Sequence, residues 1–322
     1  MRNSFLAIVL AAATGAGCAG DPQPAAGDPE VDAAASMAEA LPAMIVAERG
    51  GFIPEGVEYD TANGRLLIGS IAEGSIFQIH GDGRLTTVVT DAELVSSIGI
   101  EADEPRGRLL VANSDASVFQ GDSAGQAKLG VYDLDTGARI AMVDLAATLT
   151  DAPADAVYFA NDVAVGDDGT TYVTDTRMSV IYRVDTDYNA SVLYRFEPME
   201  NLGLNGIVSH ESGYLLAVGG TTLWKVPVAD ASGTTQVTLP EAMAGQDGMV
   251  WTADGLLVIV SNSESRVVAL TSADEWATAE VAGVATFEGQ ATTAADVDGD
   301  IYVIHPHFAD EDPPSVERVA LQ

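Results

Sequence analysis

"GRLLIGS", Gly64–Ser70, is a turn glycine followed by an apolar run, and the pattern returns five times. "GRLLVANS" starts at Gly107, "GTTYVTDT" at Gly169, "GYLLAVGG" at Gly213, "GLLVIVSNS" at Gly255 and "GDIYVIHPH" at Gly299. Asn63, Asp168, Asp254 and Asp298 precede four of these glycines, which is the chemistry of a hairpin turn. Successive glycines stand 43, 62, 44, 42 and 44 residues apart. Self-similarity at a period of about 40–45 residues, with room for four short strands per unit, is the signature of a β-propeller. Six glycines predict six blades in a single all-β domain over residues 42–322, with no long amphipathic helix between them.

The last unit is one strand short, because only "PSVERVAL" follows its hairpin. "AMIVAE", Ala43–Glu48, is the spare strand, and pairing it there closes the ring and removes an exposed edge. The oversized gap of 62 holds "SDASVFQGDSAGQAKLG", Ser114–Gly130. In a propeller this loop shares a face with the loops that enter each inner strand. It reads either as a functional loop or as a solvated insertion.

The chain of 322 residues carries 48 acidic and 14 basic side chains, a net charge of −34. Nucleic acid is thereby excluded as a partner, and anionic membrane surfaces are disfavoured. Arg2 and the apolar "FLAIVLAAA", Phe5–Ala13, form an export signal too short to span a bilayer. "TGAGC" ends on the only cysteine, Cys18, and resembles a bacterial lipobox, although Gly15 stands where leucine is usual. The expectation is a signal peptide over 1–17, lipidation of Cys18, and an Ala/Pro/Gly/Asp-rich tether over 18–41. Localisation is then the bacterial envelope, or else secretion. Membrane contact is expected only through that lipid, and the protein is expected to be a monomer.

Eight residues before a hairpin glycine lie Asn161, Asn205 and Asp247, and Glu55 precedes Gly64 by nine. Singly, Asn205-Gly206 and Asp247-Gly248 read as turn dipeptides, and Asn161-Asp162 as a turn cap. Together they are four oxygen-bearing side chains in one register, at the start of the innermost strand, around a closed ring. Two carboxylates and two amides converging on a channel call for a divalent cation. Calcium, with 6–8 oxygen ligands, suits the set, and other divalent ions are possible. None of the four positions is histidine or cysteine, which argues against zinc.

"PEGVEYDTANGRLLIGS", "NDVAVGDDGTTYVTDT", "NGIVSHESGYLLAVGG" and "DGMVWTADGLLVIV" resemble the senescence-marker-protein/gluconolactonase/luciferin-regenerating family. More distantly they are similar to diisopropylfluorophosphatase and the paraoxonases. The resemblance runs from about Ile45 to the C-terminus. It implies one metal at the propeller axis, held by Glu55, Asn161, Asn205 and Asp247, and hydrolysis of a small-molecule lactone or ester. In that reading Asp247 is both ligand and general base, or in a variant the direct nucleophile.

Further candidates end the second strands on the same face. Asn113, Asp175, Arg177 and Asn262 are candidate substrate-binding residues, and His305 a candidate proton shuttle. His307 reads as a loop residue, and His80 and His210 fall on the turn side. No glycine-rich phosphate loop and no Gly-x-Ser-x-Gly elbow is present, so nucleotide cofactors and serine-hydrolase chemistry lack support. The competing reading is a non-catalytic propeller that binds a small molecule or partner around a structural calcium.

Overall fold

A computed structural model describes residues 41–121, 123–199, 203–308 and 312–322. The proposed signal peptide, Cys18 and the tether up to residue 40 lie outside the described residues. Among the described residues there are 25 strands, five short 3-10 turns and no α-helix. They form six sheets arranged as the blades of a propeller, numbered here along the chain, each antiparallel through its four main strands.

All six hairpin glycines have positive φ: 60° at Gly64, 61° at Gly107, 84° at Gly169, 81° at Gly213, 85° at Gly255 and 93° at Gly299. Each therefore sits where a side chain is disfavoured, which is why glycine marks every blade. The inner strands are Val57–Asp60, Ser96–Asp103, Tyr158–Val165, Leu204–His210, Gln246–Trp251 and Ala294–Val297. Second strands such as Arg108–Ser114 are buried along their full length. Alternate residues of this strand enter different clefts: Leu109 and Val111 face blade 1, Leu110 and Ala112 face blade 3. Burial on both sides explains the unbroken apolar runs of the sequence. Six apolar clusters result among the described residues, one in each cleft between neighbouring blades.

Ring closure is as expected. Met44–Val46 pairs antiparallel with Ser315–Val319 and forms the outer strand of blade 6. Ile45 is 1% exposed and packs in the cluster shared by blades 6 and 1. Truncation of such a residue typically costs about 3 kcal/mol. Ile45→Ala should lower the melting temperature by roughly 6–12 °C; a calorimetric scan unchanged from wild type would mean that closure contributes little.

The long gap resolves into three parts. Ala116–Gln120 forms a 3-10 turn capped by the Asp115 carboxylate, which accepts from the Ser117 amide at 3.0 Å. Gly125–Gln126 adds a short parallel strand to Tyr158–Phe159 of blade 3. Lys128–Gly130, read from sequence as loop, belongs to the third strand of blade 2, Lys128–Asp133.

Candidate functional site

Asn161, Asn205 and Asp247 do not lie in turns; each is inside an inner strand, which corrects the reading of their dipeptides as turns. The ladder slips at that point: register shifts fall between Ala160 and Val163, Leu204 and Ile207, and Gln246 and Met249. Blade 2 slips likewise between Ser97 and Ile100. A bulge leaves residues unpaired and re-aims their side chains. Here it turns the first of the two unpaired positions into the channel. In blades 1 and 6 the equivalent residues, Glu55 and Thr292, lie just before the strand. The ring is thus six-membered: Glu55, Ile98, Asn161, Asn205, Asp247 and Thr292 all line one cavity of about 520 Å³.

Close approach of the blades explains the next position. A Cβ on Gly206 would collide with the carbonyl of Asp247, and one on Gly56 with that of Ile98. Hydroxyls tie the ring across blades: Thr292 donates to the Glu55 carbonyl at 2.7 Å and Thr174 to that of Asn205 at 2.7 Å.

The Asn161 amide nitrogen donates to Thr176 Oγ1 at 2.9 Å, and Thr176 donates in turn to the Leu204 carbonyl at 2.7 Å. That leaves Asn161 Oδ1 buried with no hydrogen-bond partner, and Asn205 Oδ1 is in the same state. Two orphaned oxygens are an exception to the pairing of buried polar groups and call for an explanation. Glu55 is 8% and Asp247 6% exposed. Burial, with repulsion from Asp247 and Asp162, holds the Glu55 carboxyl well above its ordinary range. Burial pushes Asp247 up to about 7, opposed by hydrogen bonds from Asn262 and Asn205. Two acids that resist ionisation beside two unsatisfied amide oxygens make an all-oxygen donor set for a hard cation. Among the described residues no group of three or more His, Cys, Asp or Glu side chains is placed to hold a metal ion, so a cation at this position would need the two amides as well as the two carboxylates.

Asn262 also lines the cavity, and its Nδ2 donates to Asp247 Oδ2 at 3.0 Å. The other candidates stand elsewhere. Asn113 is buried in the frame, accepting from the Val95 amide at 3.0 Å and Gln126 Nε2 at 2.8 Å and donating to the Glu93 carbonyl at 2.8 Å. Asp175 accepts from the amides of Phe159, Arg177 and Met178 and from the Tyr182 hydroxyl, at 2.9–3.0 Å. It thereby fastens Phe159, which does line the cavity. Arg177 is exposed, with its guanidinium 4.9 Å from the Phe119 ring centre. His305 sits outside the axial cavity: Nδ1 meets the Gln290 carbonyl and Nε2 the Glu317 carboxylate, each at 3.0 Å. It lines a neighbouring cavity of about 510 Å³ together with His307.

Sequence reasoning overlooked Ile98 and Thr292, which carry no charge or amide to mark them. It also overlooked Glu58, Glu101 and Asp162, which line a cavity of about 220 Å³ deeper along the channel. Burial, with the charges of Asp162 and Asp103, pushes Glu101 up to about 8, and burial, with Glu101 first among the neighbouring charges, holds Glu58 well above the usual carboxylate range. Asp162 is raised by burial to about 7, although it accepts from the Ile207 amide at 3.0 Å and the Val163 amide at 2.9 Å. Folded-state values above unfolded ones mean that the native chain holds protons that the unfolded chain releases. The contribution of these three acids to stability in chelator should therefore be full below about pH 4 and be lost as pH rises toward 8. Glu101→Gln should remove up to about 4 kcal/mol of that loss. Urea midpoints at pH 5 and pH 8.5 measure it, and equal slopes for variant and wild type would contradict the assignment.

A family model described as the SMP-30/Gluconolactonase/LRE-like region matches residues 53–306. The Malassezia sympodialis allergen Mala s 1 superposes with a TM-score of 0.72 at 18% identity, over 87% of this chain and 97% of the allergen. A luciferin-regenerating enzyme gives 0.60 at 12% identity, covering 86% and 94%. A virginiamycin B lyase from Staphylococcus aureus gives 0.56 at 15%, covering 83% and 80%. At these identities the likenesses concern the fold. No curated protein sequence matches significantly.

Proposed function

This chain belongs to the SMP-30/Gluconolactonase/LRE-like family, and on that premise we propose that it is a divalent-cation-dependent hydrolase that opens a lactone or cleaves a related ester in the axial cavity. The observation that carries the reading is the pair of buried, partnerless oxygens on Asn161 and Asn205, in the same cavity as the carboxylates of Glu55 and Asp247. Calcium is the ion best suited to these four residues, with water completing its shell. When bound, such an ion supplies Lewis-acid polarisation of the scissile carbonyl.

The chain's own residues do the rest. Asn262 holds Asp247 by one oxygen and so orients the carboxylate toward the cavity. Asp247 takes a proton from the attacking water and returns it to the leaving oxygen. Thr176 fixes the Asn161 amide so that its oxygen, and not its nitrogen, is left for the cavity. Apolar walls at Ile71, Ile98 and Phe159 limit the water that reaches the reacting carbonyl. A panel of lactones and aryl esters, assayed with calcium and with chelator, tests the proposal. Chelator-sensitive turnover is expected; turnover indifferent to chelator would reject the cation's role, and none on any member would reject the hydrolase.

Export and anchoring at Cys18 complete the proposal, supported by the apolar run Phe5–Ala13 ahead of that cysteine. Labelled palmitate should enter the wild type and not Cys18→Ser; equal labelling would rule out this anchor.

A further inference from the structure

Resting on that hydrolase reading, we infer that the substrate is an uncharged lactone or ester bearing an alkyl or aryl group, and that Phe119 and Phe308 clamp this group at the mouth of the axial cavity. The surface that the cavity presents is overwhelmingly apolar. Its walls are Ile53, Ile71, Ile98, Phe119, Phe159 and Phe308. Phe119 is 50% and Phe308 46% exposed, so two large aromatic rings stand in solvent at the edge of a site with a polar floor. Exposed apolar surface of this kind marks a binding region more often than chance. Phe119 is held in place: its ring meets Phe159 edge to face at 4.8 Å, and the Arg177 guanidinium covers it at 4.9 Å. The insertion in blade 2 thus serves to carry an aromatic wall to the cavity.

Two further facts narrow the ligand. Among the described residues no Lys, Arg or His lines the cavity, and the chain carries a net charge of −34, so beyond the proposed cation and Arg177 at the rim an anionic substrate finds no counter-charge. A polyhydroxylated sugar lactone also fits poorly. Each hydroxyl taken out of water needs a partner, and outside the ring at the floor the cavity offers few, Ser263, Gln290 and Asn262. Several floor groups are already committed, Asn262 to Asp247, Asn161 to Thr176 and Thr292 to the Glu55 carbonyl. The volume of about 520 Å³ lies within the range of small-molecule pockets, roughly 300–1,000 Å³.

The test uses the full chain in calcium with γ-butyrolactone, γ-nonalactone, γ-undecalactone and glucono-δ-lactone. Burial of each added methylene should raise kcat/KM about fourfold until the cavity is full. Phe119→Ala should flatten this chain-length slope. In parallel, the uncharged fluorophore N-phenyl-1-naphthylamine is titrated into protein in chelator. It should bind, and γ-undecalactone but not glucono-δ-lactone should displace it. Binding and displacement with no hydrolysis of any lactone would support the apolar site while overturning the hydrolase reading. Glucono-δ-lactone turned over as efficiently as γ-undecalactone would overturn the inference while leaving the hydrolase reading intact. An unchanged slope in Phe119→Ala would overturn the clamp.

Discussion

Asp247→Asn is expected to lower kcat for the best lactone about 10³-fold, within the range for loss of a positioned general base. The residue lies in the bulge of blade 5, 6% exposed, with Asn262 bonded to one of its oxygens. Asparagine keeps the shape and an oxygen for the site but cannot accept the proton. The same change should stabilise the protein in chelator. Burial holds Asp247 near 7 when no cation neutralises it, so at pH 8 the wild type carries a buried charge that the variant lacks. The gain should be up to about 4 kcal/mol, less whatever the hydrogen bonds to the carboxylate contributed. Measured together, turnover and melting temperature separate a catalytic role from a structural one. A variant that loses stability and activity in proportion would show only a damaged ring, and one with full activity would remove Asp247 from the chemistry.

The second large effect concerns calcium and Glu55. Calcium at a hundred times its dissociation constant should raise wild-type stability by about 2.7 kcal/mol. Glu55→Gln removes one of the two carboxylates and should weaken the ion at least 100-fold, abolishing most of that rise at the same calcium concentration. Glu55 also resists ionisation through burial and the charges of Asp247 and Asp162, so the variant should melt higher than wild type in chelator. The crossing of the two curves, variant above without calcium and below with it, is the expected signature. Equal calcium affinity in titration calorimetry would place any site elsewhere.

The fold was legible because each turn needs a residue with positive φ, and glycine supplies it six times. The ring of inner positions was legible in the four blades where it carries a carboxylate or an amide. Ile98 and Thr292 escaped because neither is a carboxylate or an amide, and Thr292 also stands only seven residues before its glycine. Asn113 and Asp175 look like site residues in the sequence because both end second strands. Their hydrogen-bond capacity is filled by backbone amides and neighbouring side chains, which only the folded loops reveal. His305 has the right strand and face, yet Glu317 on the paired strand draws its ring into a different cavity. The aromatic wall could not be read at all. Phe119, Phe159 and Phe308 lie far apart in the chain and share no register.

Pairing of Met44–Val46 with Ser315–Val319 also sets a timetable for synthesis. The strand that opens the propeller is made first and stays without a partner until almost the whole domain has emerged. Five blades can assemble in order from local hairpins, but the sixth must wait, and the two ends find each other only after nearly the longest loop closure the domain allows. A nascent or truncated chain is therefore an open crescent with an unpaired edge at each end. The seal cannot form until Ser315–Val319 has arrived. Once formed, that seal ties early and late segments into one cooperative unit, with no free blade from which unravelling could start.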